Sequence, residues 1–205
     1  GHVFSFVNFL IFCIALYLIV AAANTHNCYL EKDVDAKMSR TKSRPLVTGI
    51  LSSKTALILG FSELLLAMLL FYKYTDALTS FLAFLGYGSY VLFYTPLKRI
   101  SMTALFVGAV PGALPPMIGW TSVTQNLDLG AWILFGILFV WQLPHFIAIS
   151  LNRLEEYKSA GLFTMPGSLG VATAQRQMML YTLLLLVLTF VPFIANMAGI
   201  FYFVV

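Results

Sequence analysis

Charged residues are scarce in this chain, and their scarcity limits its class. Only 10% of the 205 residues are Asp, Glu, Lys or Arg, whereas 60% are apolar. A soluble domain carries about 25% charged residues, so a soluble globular protein is excluded. Only two cysteines occur, Cys13 in an apolar run and Cys28 beside charges, which argues against a disulfide framework. The net charge of +4 requires no nucleic acid partner.

Long polar linkers are also lacking. The apolar stretches are each long enough to cross a bilayer, which takes about 20 helical residues. Strands this apolar would not alternate as a barrel requires. We therefore predict an all-α polytopic transmembrane helical bundle of six to seven spans, formed by one domain over residues 1–205 and truncated at both ends. The predicted spans are 3–23, 55–72, 77–95, 102–120, 130–151 and 178–195, and the tail 199–205 could begin a seventh.

The basic residues predict the orientation of this bundle. If 24–54 lies on one side and the helices alternate, eleven of the twelve Lys and Arg residues share that side and only Lys73 lies opposite. By the positive-inside rule, the basic side is the cytoplasm or its topological equivalent. We expect an integral membrane protein of the bacterial cell inner membrane or the mitochondrial inner membrane, with its polar loops on the cytoplasmic or matrix side.

The charge that the chain does have is concentrated in 24–49. Asn27, Glu31 and Asp35 are spaced by four residues, so a continuing helix turns only about 40° between them and presents all three on one face. Their hard oxygens favour Mg²⁺. The stripe is about 12 Å long, which suits two ions, or one ion and a phosphate chain. Asp33 lies off this face, so we expect it to bind a second ion or a basic neighbour.

Basic residues follow this acidic stripe directly. They can hold the diphosphate oxygens that a metal leaves free. The positive-inside rule alone would explain a basic loop, but it gives Asp and Glu little role, so the stripe favours a functional site. The candidate diphosphate ligands in this loop are Lys37, Arg40, Lys42 and Arg44.

Two further spans carry candidate pocket residues. Tyr87, Tyr90 and Tyr94 recur at helical spacing at the end of the third span, where they are either interfacial anchors or the lining of a substrate pocket. The fourth span has three prolines and three glycines within 108–120, GAVPGALPPMIGW, a composition that predicts a kink opening a central cavity.

The pattern Asn-x-x-x-acid-x-x-x-Asp resembles the first metal motif of the UbiA-type intramembrane prenyltransferases. The longer string DVDAKMSRTKSRPLVTG at 33–49 is similar to the branch of that family that farnesylates protohaem, as are 108–120 and WQLPHF at 141–146. That branch usually has Asp where this chain has Glu31. Its members have about nine spans.

The resemblance implies a function. It implies Mg²⁺-dependent transfer of a farnesyl group from farnesyl diphosphate to a vinyl group of haem B, giving haem O for terminal oxidases. Asn27, Glu31 and Asp35 would be the catalytic metal ligands, and Lys98 and Arg99 would meet the diphosphate or a haem propionate, or would only set the topology. The resemblance implies the lipid bilayer as a partner, and it also implies contact with haem A synthase or with terminal oxidase assembly factors.

The resemblance also implies a role for the stretch after the fifth span. Most UbiA-type enzymes have a second Asp-rich motif there, whereas this chain has none. It offers His145 and a group of three oxygen-bearing side chains, with Arg153 and Lys158 beside that group as candidate substrate-binding cations. His145 is a catalytic candidate that would contact either the metal or the haem iron. Three oxygen-bearing side chains spaced by three to four residues predict a weaker second Mg²⁺ site on one helical face. They are Asn152, Glu155 and Glu156.

Three other functions compete with this one. A related prenyltransferase could use another aromatic or tetrapyrrole acceptor. A secondary transporter also has broken helices, but its polar site should lie near the midplane rather than at one surface. A haem-binding membrane subunit could use His26 and His145, but it would have little reason for the acidic stripe.

Overall fold

The structure, a computed structural model, describes residues 5–203, without the side chain of residue 203. Within that range all regular secondary structure is helical. The predicted first span therefore begins two residues before the described chain, and the last two residues of the tail also lie outside it. In chain order the α-helices are α1 Phe6–Leu30, α2 Lys32–Asp35, α3 Pro45–Thr48, α4 Ser53–Tyr74, α5 Ala77–Gly88, α6 Thr95–Leu97, α7 Ala104–Thr124, α8 Leu129–Asn152, α9 Leu154–Ala160, α10 Met165–Leu169, α11 Val171–Leu188 and α12 Val191–Ile194.

Six helical segments of the described chain are long and apolar enough to span a membrane, as predicted. Many of their large side chains face outward, such as Tyr17 and Leu65. An apolar surface of this size requires lipid rather than water, so this is an integral membrane protein. The proposed seventh span is not formed by the described tail, where Ile200–Phe203 is a 3-10 turn. The six spans are Phe6–Leu30, Ser53–Tyr74, Ala77–Leu97, Ala104–Thr124, Leu129–Asn152 and Val171–Ile194.

Small residues let the spans approach one another closely. At Gly112 in α7, an added Cβ would lie 2.3 Å from the amide nitrogen of Gln142 in α8. At Gly130 in α8, it would lie 2.4 Å from the Trp120 ring of α7. Membrane helices pack mainly through such close contacts because the lipid removes the hydrophobic driving force between them.

Helix α7 continues through its three prolines, although the prolines and glycines of 108–120 argue against an unbroken helix. A proline in a membrane helix loses one backbone hydrogen bond, and neighbouring helices compensate for the freed groups. The glycine and proline faces of α7, including Gly108 and Pro111, instead border a cavity inside the bundle. That cavity is where the sequence predicted one.

At one end of the bundle, the segments 31–52, 98–103 and 153–170 form a cap. Val34 and Met38 pack on Ala160 in a small buried cluster. The Ser39 hydroxyl donates a hydrogen bond to Glu156, and the amide of Phe163 donates to the carbonyl of Lys98 at 2.9 Å. The cap thus joins the two polar loops that the charge pattern places on one side.

Candidate functional site

The acidic stripe lies where α1 meets the cap. Helix α1 ends at Leu30 and Glu31 leaves helical geometry, with φ −105° and ψ 10°. The backbone N–H of Glu31 still donates a hydrogen bond to the carbonyl of Asn27 at 2.9 Å, and the backbone N–H of Asp35 donates to the carbonyl of Glu31 at 2.7 Å. These two bonds maintain the four-residue repeat across the break, and all three side chains are buried. The structure thus brings Asn27, Glu31 and Asp35 together at one site.

Two cations neutralise the stripe. Lys98 Nζ lies 2.6 Å from Glu31 Oε2, and Arg44 Nη1 lies 2.5 Å from Asp35 Oδ2. Burial lowers the pKa of Arg44, but the hydrogen bond and the attraction of the neighbouring acids outweigh it and raise the pKa above its usual value. Buried carboxylates need such partners, because an unpaired charge away from water is costly.

Asp33 turns away from the stripe. Its side chain is 65% exposed and takes two hydrogen bonds from the Arg99 guanidinium, at 2.7 and 3.0 Å. Those hydrogen bonds from Arg99 lower the pKa of the Asp33 carboxyl. Of the two partners predicted for Asp33, the structure supplies the basic neighbour. Arg99 also donates to the carbonyl of Leu30 at 2.6 Å, which ties the loop after the third span to the end of α1.

The stripe fits a Mg²⁺ ion by its chemistry. Residues 5–203 contain no group of three His, Cys, Asp or Glu side chains that could hold a metal, so two carboxylates and an amide would have to serve. The Oε1 atom of Glu31 is buried and has no hydrogen-bond partner within that range. A buried oxygen without a donor is costly, and carboxylate oxygens are preferred Mg²⁺ ligands. Mg²⁺ usually takes only one or two carboxylates and completes its shell with substrate phosphates and water.

A π-helical segment, Ser89–Tyr94, places the third span against the stripe. The Thr95 hydroxyl donates to the carbonyl of Tyr90 at 2.9 Å and accepts from the Asn27 amide at 3.0 Å. That same amide donates to Glu31 Oε2 at 2.9 Å. Such π segments often occur at functional sites. The extra residue in the turn brings Thr95 to Asn27, a contact that helical spacing does not predict.

Two cavities flank this segment. The cap cavity, about 420 Å³, has the basic residues Arg40, Lys98 and Arg153 in its lining, together with Tyr94. The bundle cavity, about 320 Å³, is mainly apolar and is lined by Ile19, Tyr90, Pro111 and Gln142 among others. Phe146 borders both cavities. Asn27, Glu31 and Asp35 line neither.

The tyrosines of the third span face these cavities. Tyr87 and Tyr90 border the bundle cavity and Tyr94 borders the cap cavity. Tyr94 stacks on Phe146 with ring centroids 6.2 Å apart, and the ammonium group of Lys98 lies 5.2 Å from the Tyr94 ring centroid. Their positions favour pocket lining over the alternative of interfacial anchors.

The structure does not assemble the second metal site expected from 152–156. The prediction assumed one continuous helix, but α8 ends at Asn152 and Arg153 has φ −127° before α9 begins. Glu155 is 86% exposed and pairs with Lys158 at 3.2 Å. The remaining acid, Glu156, accepts from Ser39 and lies 3.3 Å from Arg153, and these hydrogen bonds lower its pKa. These side chains therefore act as ion-pair partners at the surface of the cap.

His145 is also placed outside the site. Its ring is exposed on α8 and stacks on Trp141 at 4.6 Å, and it borders neither cavity. The next residue, Phe146, lies about 100° further around the helix and faces the cavities instead. Of the basic candidates, Lys37 and Lys42 are likewise exposed and line neither cavity, whereas Arg40 does.

Sequence reasoning missed three residues of the site. Thr95 holds the Asn27 amide, Phe146 separates the cavities, and Tyr157 lines the cap cavity, where burial raises its pKa. The available signal for Thr95 was its position three residues before Lys98, on nearly the same helical face. The available signal for Tyr157 was its position four residues after Arg153, a spacing that would place both side chains on one helical face.

These features define a class: a polytopic membrane protein with a buried acid–cation site beside an apolar cavity. The UbiA prenyltransferase family model matches residues 1–205. The chain belongs to the UbiA prenyltransferase family.

Two relatives narrow the similarity. The chain is 43% identical over 202 residues to the protoheme IX farnesyltransferase of Myxococcus xanthus, covering 98% of this chain and 68% of the relative. It is 49% identical over 173 residues to the enzyme of that name from Anaeromyxobacter dehalogenans, covering 84% and 59%. The chain thus spans about six tenths to two thirds of these relatives' length. The resemblance to the farnesylating branch is confirmed.

Two solved structures share the fold. A UbiA homologue from Archaeoglobus fulgidus, bound to DMAPP and Mg²⁺, matches with a TM-score of 0.82 at 17% identity, covering 98% of this chain and 70% of that one. The apo structure of a UbiA homologue from Aeropyrum pernix K1 matches with a TM-score of 0.80 at 19% identity, covering 99% and 76%. The predicted helical bundle of UbiA type is confirmed.

Proposed function

We propose that this protein transfers a farnesyl group from farnesyl diphosphate to a vinyl group of haem B, in a Mg²⁺-dependent reaction that yields haem O. The names of its relatives support the donor and the acceptor. The observation that carries the proposal is the buried stripe of Asn27, Glu31 and Asp35, held under Lys98 and Arg44 next to an apolar cavity.

The donor's diphosphate would bind at the stripe. Asn27, Glu31 and Asp35 would hold Mg²⁺, which when bound neutralises the diphosphate and makes it a better leaving group. Lys98 and Arg44 each donate to the stripe and can turn a further N–H toward a phosphate oxygen. Both are only partly exposed, at 19% and 31% of the side chain, so their attraction for an anion is less screened than at an open surface.

The farnesyl chain would lie in the bundle cavity. The walls of that cavity are mainly apolar, so they exclude the water that would otherwise capture an allylic cation. Tyr90 borders it next to the stripe, and Tyr94 lies 5.5 Å from the Tyr90 ring. Aromatic faces stabilise positive charge within about 6 Å, so these rings are placed to favour ionisation.

The proposed reaction balances in four steps. The allylic C–O bond breaks and its electron pair leaves with the diphosphate. The vinyl group's terminal carbon forms a bond to C1 of the farnesyl group, which leaves the positive charge on the carbon next to the macrocycle. Water adds there, and loss of its proton gives the hydroxyethylfarnesyl side chain.

The polar cap is proposed to face the cytoplasm or the matrix, from which the charged diphosphate of the donor would enter the site. Eleven of the twelve Lys and Arg residues lie on that side in the alternating topology. The haem would reach the cavity from the bilayer.

The test is a transfer assay on the full-length protein in detergent, with haem B, farnesyl diphosphate and Mg²⁺, read by mass spectrometry. We expect a farnesylated, hydrated haem. The double variant Glu31→Gln, Asp35→Asn should reduce the rate by about 100-fold or more, since it removes both carboxylates that hold the metal. EDTA should abolish the product.

The matched control is Asp128→Asn, which makes the same carboxylate-to-amide change far from the stripe. Asp128 caps the N-terminus of α8, and Asn caps about as well, so the fold and the rate should persist. Prenyl transfer to another acceptor but not to haem would discard the haem assignment. Equal rates in the double variant and the control would refute the role of the stripe.

A further inference from the structure

The cap cavity carries positive charge that the donor site does not use. Arg40 lines the cavity and forms no ion pair with any residue in 5–203. Arg153 also lines it, and its contact with Glu156 is long, at 3.3 Å, and partly exposed. The two arginines come from separate loops, and the cap holds them at one cavity. An anion entering there would meet two guanidinium groups whose donors are largely free.

The lining of the cap cavity suits a flat aromatic ring. Its inner wall includes Tyr94 and Phe146, whose rings are stacked within 12° of parallel. Apolar side chains such as Leu105, Ile149 and Phe163 form the other walls. A planar apolar body would pack against these surfaces while anionic groups at its edge reach the arginines.

The diphosphate is not the occupant that this cavity favours. A metal-bound diphosphate must lie beside Glu31 and Asp35, and neither of these lines the cap cavity. The cations that contact the stripe are Lys98 and Arg44, and Arg44 does not line the cavity either. The cations divide into a pair at the stripe and a pair at the cavity, with Lys98 at the boundary between them.

We propose that the cap cavity binds the acceptor, and that Arg40 and Arg153 hold the carboxylates of its propionate side chains. This assignment rests on the proposed function, because haem B is a planar macrocycle with two carboxylates at one edge. With those carboxylates anchored in the cap, the rest of the macrocycle extends toward Tyr94 and Phe146, the boundary with the bundle cavity. The arginines thus fix which edge of the acceptor faces the farnesyl chain.

The test compares haem B with its dimethyl ester, in which both carboxylates are blocked. Binding to the full-length protein is measured by the shift of the haem absorption band, for the unmutated protein, Arg40→Met, Arg153→Met and the double variant. Each arginine should contribute about tenfold to haem affinity, as expected for a charge-assisted hydrogen bond. The dimethyl ester should bind all four proteins about equally weakly.

Two controls separate the subsite from other effects. Arg176→Met makes the same change at an exposed arginine of α11 that lines neither cavity, and it should leave haem affinity unchanged. Glu156→Gln removes the negative charge beside Arg153 but keeps both arginines, so haem affinity should not fall. Binding of Mg²⁺ and a farnesyl thiodiphosphate should change by less than about twofold in every variant, which also shows that the variants are folded.

Several results would overturn the assignment. Equal affinity of the unmutated protein for haem and its dimethyl ester would show that the carboxylates are not recognised. Loss of thiodiphosphate binding with haem binding intact would assign the arginines to the donor. If the unmutated protein makes haem O while the double variant binds haem normally, only the subsite fails. If the unmutated protein neither binds nor farnesylates haem, the proposed function fails with it.

Discussion

At the residue scale, His26 shows how closely the spans are fitted beneath the site. Its ring is buried, its Nδ1 is hydrogen-bonded to the Tyr87 hydroxyl at 2.9 Å, and Phe61 packs against it at 4.6 Å. Its Nε2 has no hydrogen-bond partner within residues 5–203. The ring lies directly against Gly60 of α4, where a Cβ would be 2.8 Å from two ring atoms. The haem-binding role considered for His26 has no space for a ligand on that side.

We therefore expect Gly60→Ala to destabilise the protein by about 1–3 kcal/mol, the usual cost of overpacking a core. The His26 ring cannot move aside without losing its contacts with Tyr87 and Phe61. The measurement is thermal unfolding of the purified protein in detergent.

Gly136→Ala is the matched control for that experiment. Gly136 lies within α8, and apart from its two chain neighbours and the nearby backbone of its own helix, no atom lies within 4 Å of an added Cβ there. Alanine is favoured over glycine in a helix by about 1 kcal/mol, so this variant should be neutral or stabilised. A similar loss of stability in both variants would contradict the close contact at His26.

At the element scale, the π segment Ser89–Tyr94 connects the metal stripe to the third span. The single hydroxyl of Thr95 joins the two, since it donates to the carbonyl of Tyr90 and accepts from the Asn27 amide. Thr95 is only 1% exposed. Removing the hydroxyl would leave one buried N–H of the Asn27 amide without a partner, which typically costs about 1–3 kcal/mol, whereas the Tyr90 carbonyl would keep its bond from the backbone N–H of Thr95.

Thr95→Val keeps the shape of the side chain and removes only the hydroxyl. We expect it to lower the stability by about 1–3 kcal/mol and to weaken binding of Mg²⁺ with a farnesyl thiodiphosphate, because the Asn27 amide then keeps only its hydrogen bond to Glu31. Thermal unfolding and a binding titration measure the two effects. Thr182→Val should change neither, because the exposed Thr182 hydroxyl bonds only its own helix, at 2.8 Å. Unchanged ligand binding in Thr95→Val would show that the π segment does not position the site.

At the scale of the whole molecule, the cap holds two distant loops together over the bundle. The contact depends on the small cluster of Val34, Met38 and Ala160, which Tyr157 and Leu162 extend. Few apolar contacts support the cap compared with the spans, so it should open locally at lower free energy than the bundle unfolds. Opening of the cap would expose the cap cavity to the aqueous side.

We predict that Met38→Ala makes the cap open more often. Trypsin should then cleave after Lys37, Arg40 or Lys42 several times faster. Truncating a buried Met costs about 2–5 kcal/mol, and Met38 packs in the cap rather than among the spans. The thermal unfolding of the spans should therefore change little. Ala36→Ser, a change at an exposed neighbour, should not alter the rate of cleavage. Equal cleavage of both variants would indicate that the cluster does not hold the cap closed.

Particular residues show how far the site could be predicted. The stripe was predictable because Asn27, Glu31 and Asp35 belong to one continuous stretch, and backbone bonds keep their spacing even where the helix breaks at Glu31. The second Mg²⁺ site stays a prediction that the structure does not support, because it required one helix through Asn152, Glu155 and Glu156, and α8 ends at Asn152. His145 and Phe146 are adjacent in sequence, yet one is exposed and the other lies between the cavities. Which of two adjacent side chains faces a cavity depends on how the helix packs in the bundle, which the order of residues alone does not give.

The sequence alone determined that this is a bundle of membrane helices with one polar end. Both properties are local, because span length follows from bilayer thickness and charge distribution follows from the cost of burying ions. Only the tertiary structure decided which cation neutralises which acid. Lys98 and Arg99 are neighbours in sequence, but one pairs with Glu31 and the other with Asp33. Such pairs join spans more than 60 residues apart, so they depend on how helices pack rather than on any local pattern.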